Sequence, residues 1–439
     1  MAARGPLSVP AFRALWAAGL ISDTGDWLLL IALPIVVYQL TGSAVGTAAA
    51  FTAELLPGIA LAPLGGRLAD TVDRRALMIV LSAVQAVALL PLLLVHDRDG
   101  LAIVYAVIVA QSSLAAMFDP AKNALLPTLV DPRQLVPANA LVGLGAAVGR
   151  LAGGPLGGLL LAAGSLRTIV IADALSFGVA GVLIARVPRA AAAGGGGGRA
   201  RDRAGDGGRD EVRLAAGGLR AVLRIRAVAA ALLVAFVADI AQGIFVVLFI
   251  VFVARRLHGG AAEIGLLRGV QAVGAVAGGI LLAAWGERWR PVTLAAVAAI
   301  TFGIIDLTIW NGPLVTGSEA VFLVLFVCAG APGVILETAG ISFLQQASDD
   351  GDRGRVFAAL GLVENAGQAL GIAAAGLLTA PLGLMALLNA QGVLYLTAGV
   401  LVAALGRMAR PSRAAHRRMT GRRDGLALGE EVSTGSSGR

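Results

Sequence analysis

GGRLADTVDRRAL, Gly65 to Leu77, sets three arginines and two aspartates between two apolar runs, residues 44–65 and 76–95. About 20 apolar residues in a helix cross the hydrocarbon core of a bilayer, so a charged stretch between two such runs reads as a loop at a membrane face. Working outward, further apolar runs fall at 12–39, 101–118, 137–163 and 168–186, then at 227–254, 262–285, 291–310, 320–344, 356–378 and 383–406. The reading is an all-α membrane protein with 12 transmembrane helices. Composition agrees, with 57% hydrophobic and 14% charged residues and a mean hydropathy of +0.83, where a soluble chain carries roughly 25% charge. Twelve spans use most of the 439 residues and leave no room for a soluble catalytic domain.

The runs divide six and six. An N-terminal bundle is expected at 1–186, a flexible linker at 187–218 containing five glycines from Gly194 to Gly198, a C-terminal bundle at 219–408, and a disordered basic tail at 409–439. The linker has mixed charge and no apolar periodicity, hence nothing to bury. A shift of 218 residues aligns Leu126 with Leu344, Gly149 with Gly367, Gly153 with Gly371, Gly158 with Gly376, and Gly181, Val182 and Leu183 with Gly399, Val400 and Leu401. One register across three elements predicts two pseudo-symmetric six-helix bundles, a known plan for carriers with a midplane site.

Arginine orients the array. Arg67, Arg74, Arg75, Lys122, Arg133, Arg288, Arg290, Arg353 and Arg355 share one side with the linker and the tail, against Arg98, Arg167, Arg255 and Arg256 on the other. The positive-inside rule places both termini in the cytoplasm, in a multi-pass protein of the cytoplasmic membrane. The formal charge of +8 is thereby topological and calls for no nucleic acid. Cys328 stands alone, and His96, His258 and His416 fall outside the apolar runs, so no disulfide, metal site or cofactor is expected and any intramembrane proton carrier must be a carboxylate. Trp16, Trp285, Trp289 and Trp310 lie where an aromatic belt would sit.

GGRLADTVDRRAL resembles the signature loop of the major facilitator superfamily, with Gly66, Leu68, Ala69, Asp70, Arg74 and Arg75 matching and Thr71 and Asp73 departing. The resemblance implies the major facilitator fold and a gate in which Asp70 meets the start of helix 11 near Gly354, Arg355 and Val356. FDPAKNALLPTLVDPRQLVPANAL, IADALSF and DRGRVFAALG narrow the likeness to the drug and siderophore exporters that include enterobactin exporters and macrolide efflux proteins. GRLAGGPLGG, with Gly153, Gly154, Pro155, Gly157 and Gly158, is similar to an antiporter pattern. Its bland reading is close helix packing, which small residues permit.

Ionisable groups at membrane depth are costly and usually face a cavity or a partner. Asp23, Asp26, Glu54, Asp239, Glu337 and Glu364 set six acids against two bases, Arg150 and Arg268, in central parts of the runs. This set predicts a proton-coupled aqueous path, because an acid without a cation in a low-dielectric site can exchange a proton near neutral pH. The competing reading is permanent pairing, for instance of Arg150 with Glu54 or Asp26. Asp173 and Asp306 are read as satisfied near the outer ends, and Asp119 and Lys122 as rim residues.

The expected function is proton-coupled export of an amphipathic drug, macrolide or siderophore by a monomeric carrier whose partners are cargo, protons and lipid. A lipid or lysolipid flippase on the same fold is the alternative. An embedded enzyme or sensor would need a clustered catalytic set or an attached soluble domain, and neither is present in the sequence. The topology generates a test in a Cys328→Ala background: cysteines at Gly196 and Ser433 should label from the cytoplasmic side alone, and one at Gly312 from outside. Labelling of Gly196 from outside would reverse the orientation.

Overall fold

The computed structural model describes residues 5–163, 166–188, 225–348 and 352–408. The expected linker beyond Pro188 and the tail at 409–439 lie outside the described residues. Among those described, twelve helices are long and apolar enough to cross a membrane. They are α1 (Pro10–Thr41), α2 (Ala44–Thr71), α3 (Arg74–Leu89), α4 (Leu101–Leu129), α5 (Leu135–Ala162) and α6 (Leu166–Ala185), then α7 (Arg226–Arg256), α8 (Ala261–Trp285), α9 (Pro291–Asn311), α10 (Glu319–Ala347), α11 (Arg353–Leu382) and α12 (Leu384–Met408).

Local chemistry sets the ends. Pro10 opens α1, where its missing N–H costs nothing, and Gly42 closes it at φ 65°, the left-handed conformation that glycine adopts freely. Two helices outrun the apolar runs that announced them. α2 continues to Thr71, so Gly65–Thr71 is helical and not loop, and α4 continues from 118 to Leu129 through Pro120 and Pro127. Hydropathy falls at the first charge, but the backbone near the bilayer still satisfies its polar groups internally. The turn narrows to Val72 and Asp73, and the Asp73 carboxylate caps α3 by accepting from the Ala76 N–H at 2.6 Å.

Helix pairing repeats between halves. α1 packs on α5 and α6, α2 on α4, and α3 on α4 and α6; equally, α7 packs on α11 and α12, α8 on α10, and α9 on α10 and α12. Between bundles the main pairs are α5 with α8 and α2 with α11, which the same operation exchanges. Glycines fix the register. A Cβ at Gly149 would meet Asp23 and one at Gly367 would meet Asp239; a Cβ at Gly181 would meet Ser82, and one at Gly399 would meet Ile300.

Both described ends of the chain lie on one face, here the terminal face, and the bundles join toward the opposite, far face. One hydrophobic cluster spans both bundles, from Leu28–Val37 and Ala44–Ala50 across to Ala241–Val253 and Ile264, all in far halves of helices. Nearer the terminal face the cores separate: one cluster belongs wholly to the first bundle, around Phe12, Met78 and Leu125. Two belong wholly to the second, around Val228 and Val356 and around Ala295 and Ala398. The space between the bundles therefore opens toward the terminal face.

Three contacts seal the far face. Arg255 of α7 donates to the Tyr38 hydroxyl at 3.0 Å and to the Gly42 carbonyl at 2.9 Å. A Cβ on Gly376 of α11 would lie 2.8 Å from the Ala48 methyl of α2, and one on Gly158 of α5 would lie 2.5 Å from the Gly265 Cα of α8. Trp310 departs from the expected aromatic belt: it is fully buried, edge-on to Phe252 at 4.9 Å, with its indole N–H given to Gln391 at 2.8 Å. Trp285 and Trp289 are exposed, whereas Trp16 donates to the Leu141 carbonyl at 2.9 Å and pins α1 on α5.

Because backbone faces backbone at Gly158, Gly158→Val should wedge the far seal apart. In a Cys328→Ala background, a cysteine at the buried position Ile264 should then react several-fold faster with a water-soluble maleimide. An unchanged rate would show that the seal does not depend on this approach.

Candidate functional site

A cavity of about 870 Å³ lies between the bundles beneath the far seal. α1 contributes Asp26 and Trp27, α2 Phe51 and Glu54, α4 Gln111 and Ser112, and α6 Asp173; α7 adds Gln242 and Phe249, α8 Arg268, and α11 Asn365 and Gln368. The remaining wall is mostly leucine, isoleucine, alanine and valine. Such a site is apolar with a few convergent polar groups, the usual make-up of a small-molecule pocket.

The polar groups are held by their helices. The Ser112 hydroxyl donates to the Glu54 carbonyl, locking α2 to α4 beside the carboxylate. Arg268 lies over the Phe245 ring at 4.9 Å and the Phe249 ring at 5.6 Å and donates to Gln271 at 3.1 Å. Aromatic faces thus offset part of its charge. Asp26 is accessible from the cavity and within Coulombic reach of Asp173, Asp23, Asp119 and Lys122. Lys122 itself pairs with Asp119 at 3.0 Å.

Of the eight charged residues singled out in the sequence, Asp26, Glu54 and Arg268 line this cavity. Asp23 sits one turn closer to the terminal face. Asp239, Glu337 and Glu364 form a separate acidic group within Coulombic reach of one another. Arg150 does not pair with Glu54 or Asp26: its guanidinium lies over the Trp27 ring at 5.6 Å, on the exposed face of α5. Permanent pairing is therefore replaced by a cation over an aromatic face. Among the described residues neither Arg150 nor Arg268 makes an ion pair. Asp119 and Lys122 prove to be electrostatic neighbours of the α1 acids and not merely rim residues.

Asp70 is largely exposed, with Arg74 3.9 Å away, and among the described residues the resemblance's contact with helix 11 is not formed; Arg355 instead pairs with Asp352 at 3.1 Å. The open terminal face separates those helix ends. Arg74 donates to the Ala69 and Ala124 carbonyls at 3.0 Å each, and Arg75 to the Ala185 carbonyl, so the signature arginines tie α3 to α2, α4 and α6. Gly66 has open space beside its Cα. In the α5 motif, a Cβ at Gly153 or Gly157 would lie 2.6 Å from the Thr24 or Leu28 carbonyl of α1, while Gly154 faces Ile31 and the Pro155 ring lies against Gly269 of α8.

Sequence reasoning missed Asp173, Gln242 and Arg255. Asp173 is buried against Gly25 of α1, close enough that no side chain would fit there, and its Oδ1 accepts from the Ser176 hydroxyl at 3.0 Å. The 218-residue register, which pairs Asp173 with Gln391, was the available signal. Arg255 closes a helix terminus, and its sequence alone marks it as one more flanking cation.

A family model described as transmembrane secretion effector matches residues 1–422. The chain is 29% identical over 187 residues to an uncharacterized transporter, YfiS of Bacillus subtilis, covering 41% of this chain and 44% of that one. It is 28% identical over 200 residues to the multidrug efflux pump Tap of Mycolicibacterium fortuitum, covering 43% and 47%. Each alignment spans less than half of the curated relative. Among solved structures, a bacterial homologue of the iron transporter ferroportin in an inward-facing state shares the fold, with TM-score 0.68, 16% identity, and coverage of 90% of this chain and 98% of that one.

The two signature positions should differ in their structural cost. Arg74→Ala, losing two charge-assisted bonds to carbonyls, should destabilise the purified protein by about 1.5–3 kcal/mol. Asp70→Asn, losing a long exposed pair, should stay within about 0.5 kcal/mol of the parent. Thermal unfolding in detergent measures both, and equal losses would refute the assignment.

Proposed function

The chain belongs to the transmembrane secretion effector family of major facilitator transporters, and from that premise we propose that it exports an amphipathic small molecule by proton-coupled alternating access. It is an integral multi-pass transporter and not an enzyme. The observation that carries the finer reading is the cavity: an apolar wall open toward the terminal face, with Asp26 and Glu54 on the first bundle and, among the described residues, no ion pair to either. The arginine asymmetry supports a cytoplasmic terminal face, and on this reading cargo enters from inside. A drug, macrolide or siderophore with an apolar body and a few polar groups suits this wall.

Coupling follows from differential affinity. A proton taken up by Asp26 from the proton-rich outer side removes a charge that must otherwise stay hydrated, which favours the transition that returns the cavity to the cytoplasmic side, where the proton is released. Cargo in the same cavity favours the opposite transition. Asp26 is the first candidate carrier and Glu54 the second; Arg268, held over two rings, supplies a fixed positive charge to the cargo. Asp70 gates the cytoplasmic ends of α2 and α11 when these close.

Asp26→Asn should separate coupling from binding. With the full chain in liposomes and ethidium as probe, transport driven by an imposed pH gradient should fall at least tenfold, while ethidium equilibrium exchange continues. Full uphill transport by the variant would remove Asp26 as carrier.

A further inference from the structure

Asp173 is a buried carboxylate that the sequence reading set aside. It is 1% exposed and borders the cavity, and its Oδ2 has no hydrogen-bond partner. Its Oδ1 approaches Gly25 of α1 so closely that a methyl group there would overlap it. Gly25 immediately precedes Asp26, and the α6 carboxylate borders the same cavity as the α1 carboxylate and lies within Coulombic reach of it. A buried carboxylate oxygen with no donor costs free energy comparable to a lost hydrogen bond, and a proton is the smallest ligand that removes this cost.

The second bundle supplies an internal control. Glycine contacts relate Asp23 to Asp239, which places Gln242 at the position of Asp26. The Gly181 and Gly399 contacts relate α6 to α12 by 218 residues, which places Gln391 at the position of Asp173. For α2 and α8, Ser112 bonds the Glu54 carbonyl, and its counterpart Gly330 abuts the Gln271 carbonyl. Glu54 thus corresponds to Gln271. At all three positions the first bundle has an acid and the second an amide. At each of these positions the related site in the second bundle is filled by a neutral polar group.

We propose that Asp26 and Asp173 form one proton-binding pair, in which the O–H of one carboxylic acid donates to the carboxylate of the other across the α1–α6 interface. Uptake of one proton converts two carboxylates into a singly charged pair, and its release returns them. The charged groups around the pair are Asp23 on α1 and Asp119 and Lys122 on α4. α3 presents the buried neutral residues Ser82 and Gln85, with Arg75 far off at the Ala185 carbonyl, and Arg150 of α5 is turned onto Trp27. Lys122 is already engaged by Asp119. The pair's role in transport rests on the coupling reading above; its binding of a proton does not.

The test is a pH titration of the full chain in liposomes, following the infrared band of protonated carboxyl groups in the parent, Asp26→Asn, Asp173→Asn and the double variant, with Asp306→Asn as control. Asp306 is a buried acid whose Oδ2 accepts from Gln391 at 2.7 Å, away from the pair. In Asp173→Asn the proton affinity of Asp26 should fall at least tenfold, and in Asp26→Asn that of Asp173 should fall by the same factor, since coupling is reciprocal. Asp306→Asn should move neither. Should Asp173→Asn fail to fold, Asp26→Asn alone decides, because Asp26 faces the cavity. Losses that add without interaction, or unchanged affinity of the remaining acid, would overturn the pair. A confirmed pair without gradient-driven ethidium transport would refute the coupling reading alone; transport without the interaction would refute the pair alone.

Discussion

Backbone contact between the two bundles in their far halves is the constraint from which the rest of the molecule follows. At Gly158 the helices meet backbone to backbone against Gly265, and at Gly376 only the Ala48 methyl lies between them. In lipid, where hydrophobic burial gives little preference for helix over helix, such close approach supplies the packing energy. Arg255 adds a directional contact by closing on the Gly42 carbonyl at a helix end whose acceptors would otherwise face water or headgroups. With the far halves joined and the cores nearer the terminal face kept apart, the cavity has a floor and a mouth.

Charge is distributed unevenly on this nearly symmetric frame. Asp26, Glu54 and Asp173 stand on the first bundle where Gln242, Gln271 and Gln391 stand on the second. Arg268, the one cation in the cavity wall among the described residues, comes from the second bundle and leans on Phe245 and Phe249 rather than on an acid. The two walls therefore offer different chemistry to whatever lies between them. Among the described residues an acid in this wall makes no ion pair, whereas a pair locked across the interface would resist any motion that parted it.

The fold was legible because bilayer thickness acts on composition, which a sequence displays directly as apolar runs of spanning length. Helix ends were less so: α2 and α4 run past their apolar segments, and Asp70 belongs to the last turn of a helix where a loop was expected. In the site, depth along a helix found Asp26, Glu54 and Arg268 but misjudged Asp173, because distance from a helix end says nothing about which neighbour lacks a side chain. Arg150 shows the converse. It lies deep in its run, yet orientation around α5 carries it to Trp27 and away from the acids. Trp310 sat where an interfacial ring was expected, but its N–H had a partner in Gln391, and that hydrogen bond permits full burial.

The glycine contacts of the far seal and the apolar residues of the cavity wall are different sets of positions. Phe51, Leu55 and Ile59 touch the cavity but take no part in the close approach at Gly158 or Gly376. A lineage carrying this architecture can therefore retune what it carries by exchanging wall residues one at a time while the moving joint is inherited intact. A side chain at Gly158 would overlap the Gly265 backbone, whereas the wall residues border open space. Divergence among descendants would accumulate in the wall, and diversity of cargo would come cheaply to a machine whose hinge stays fixed.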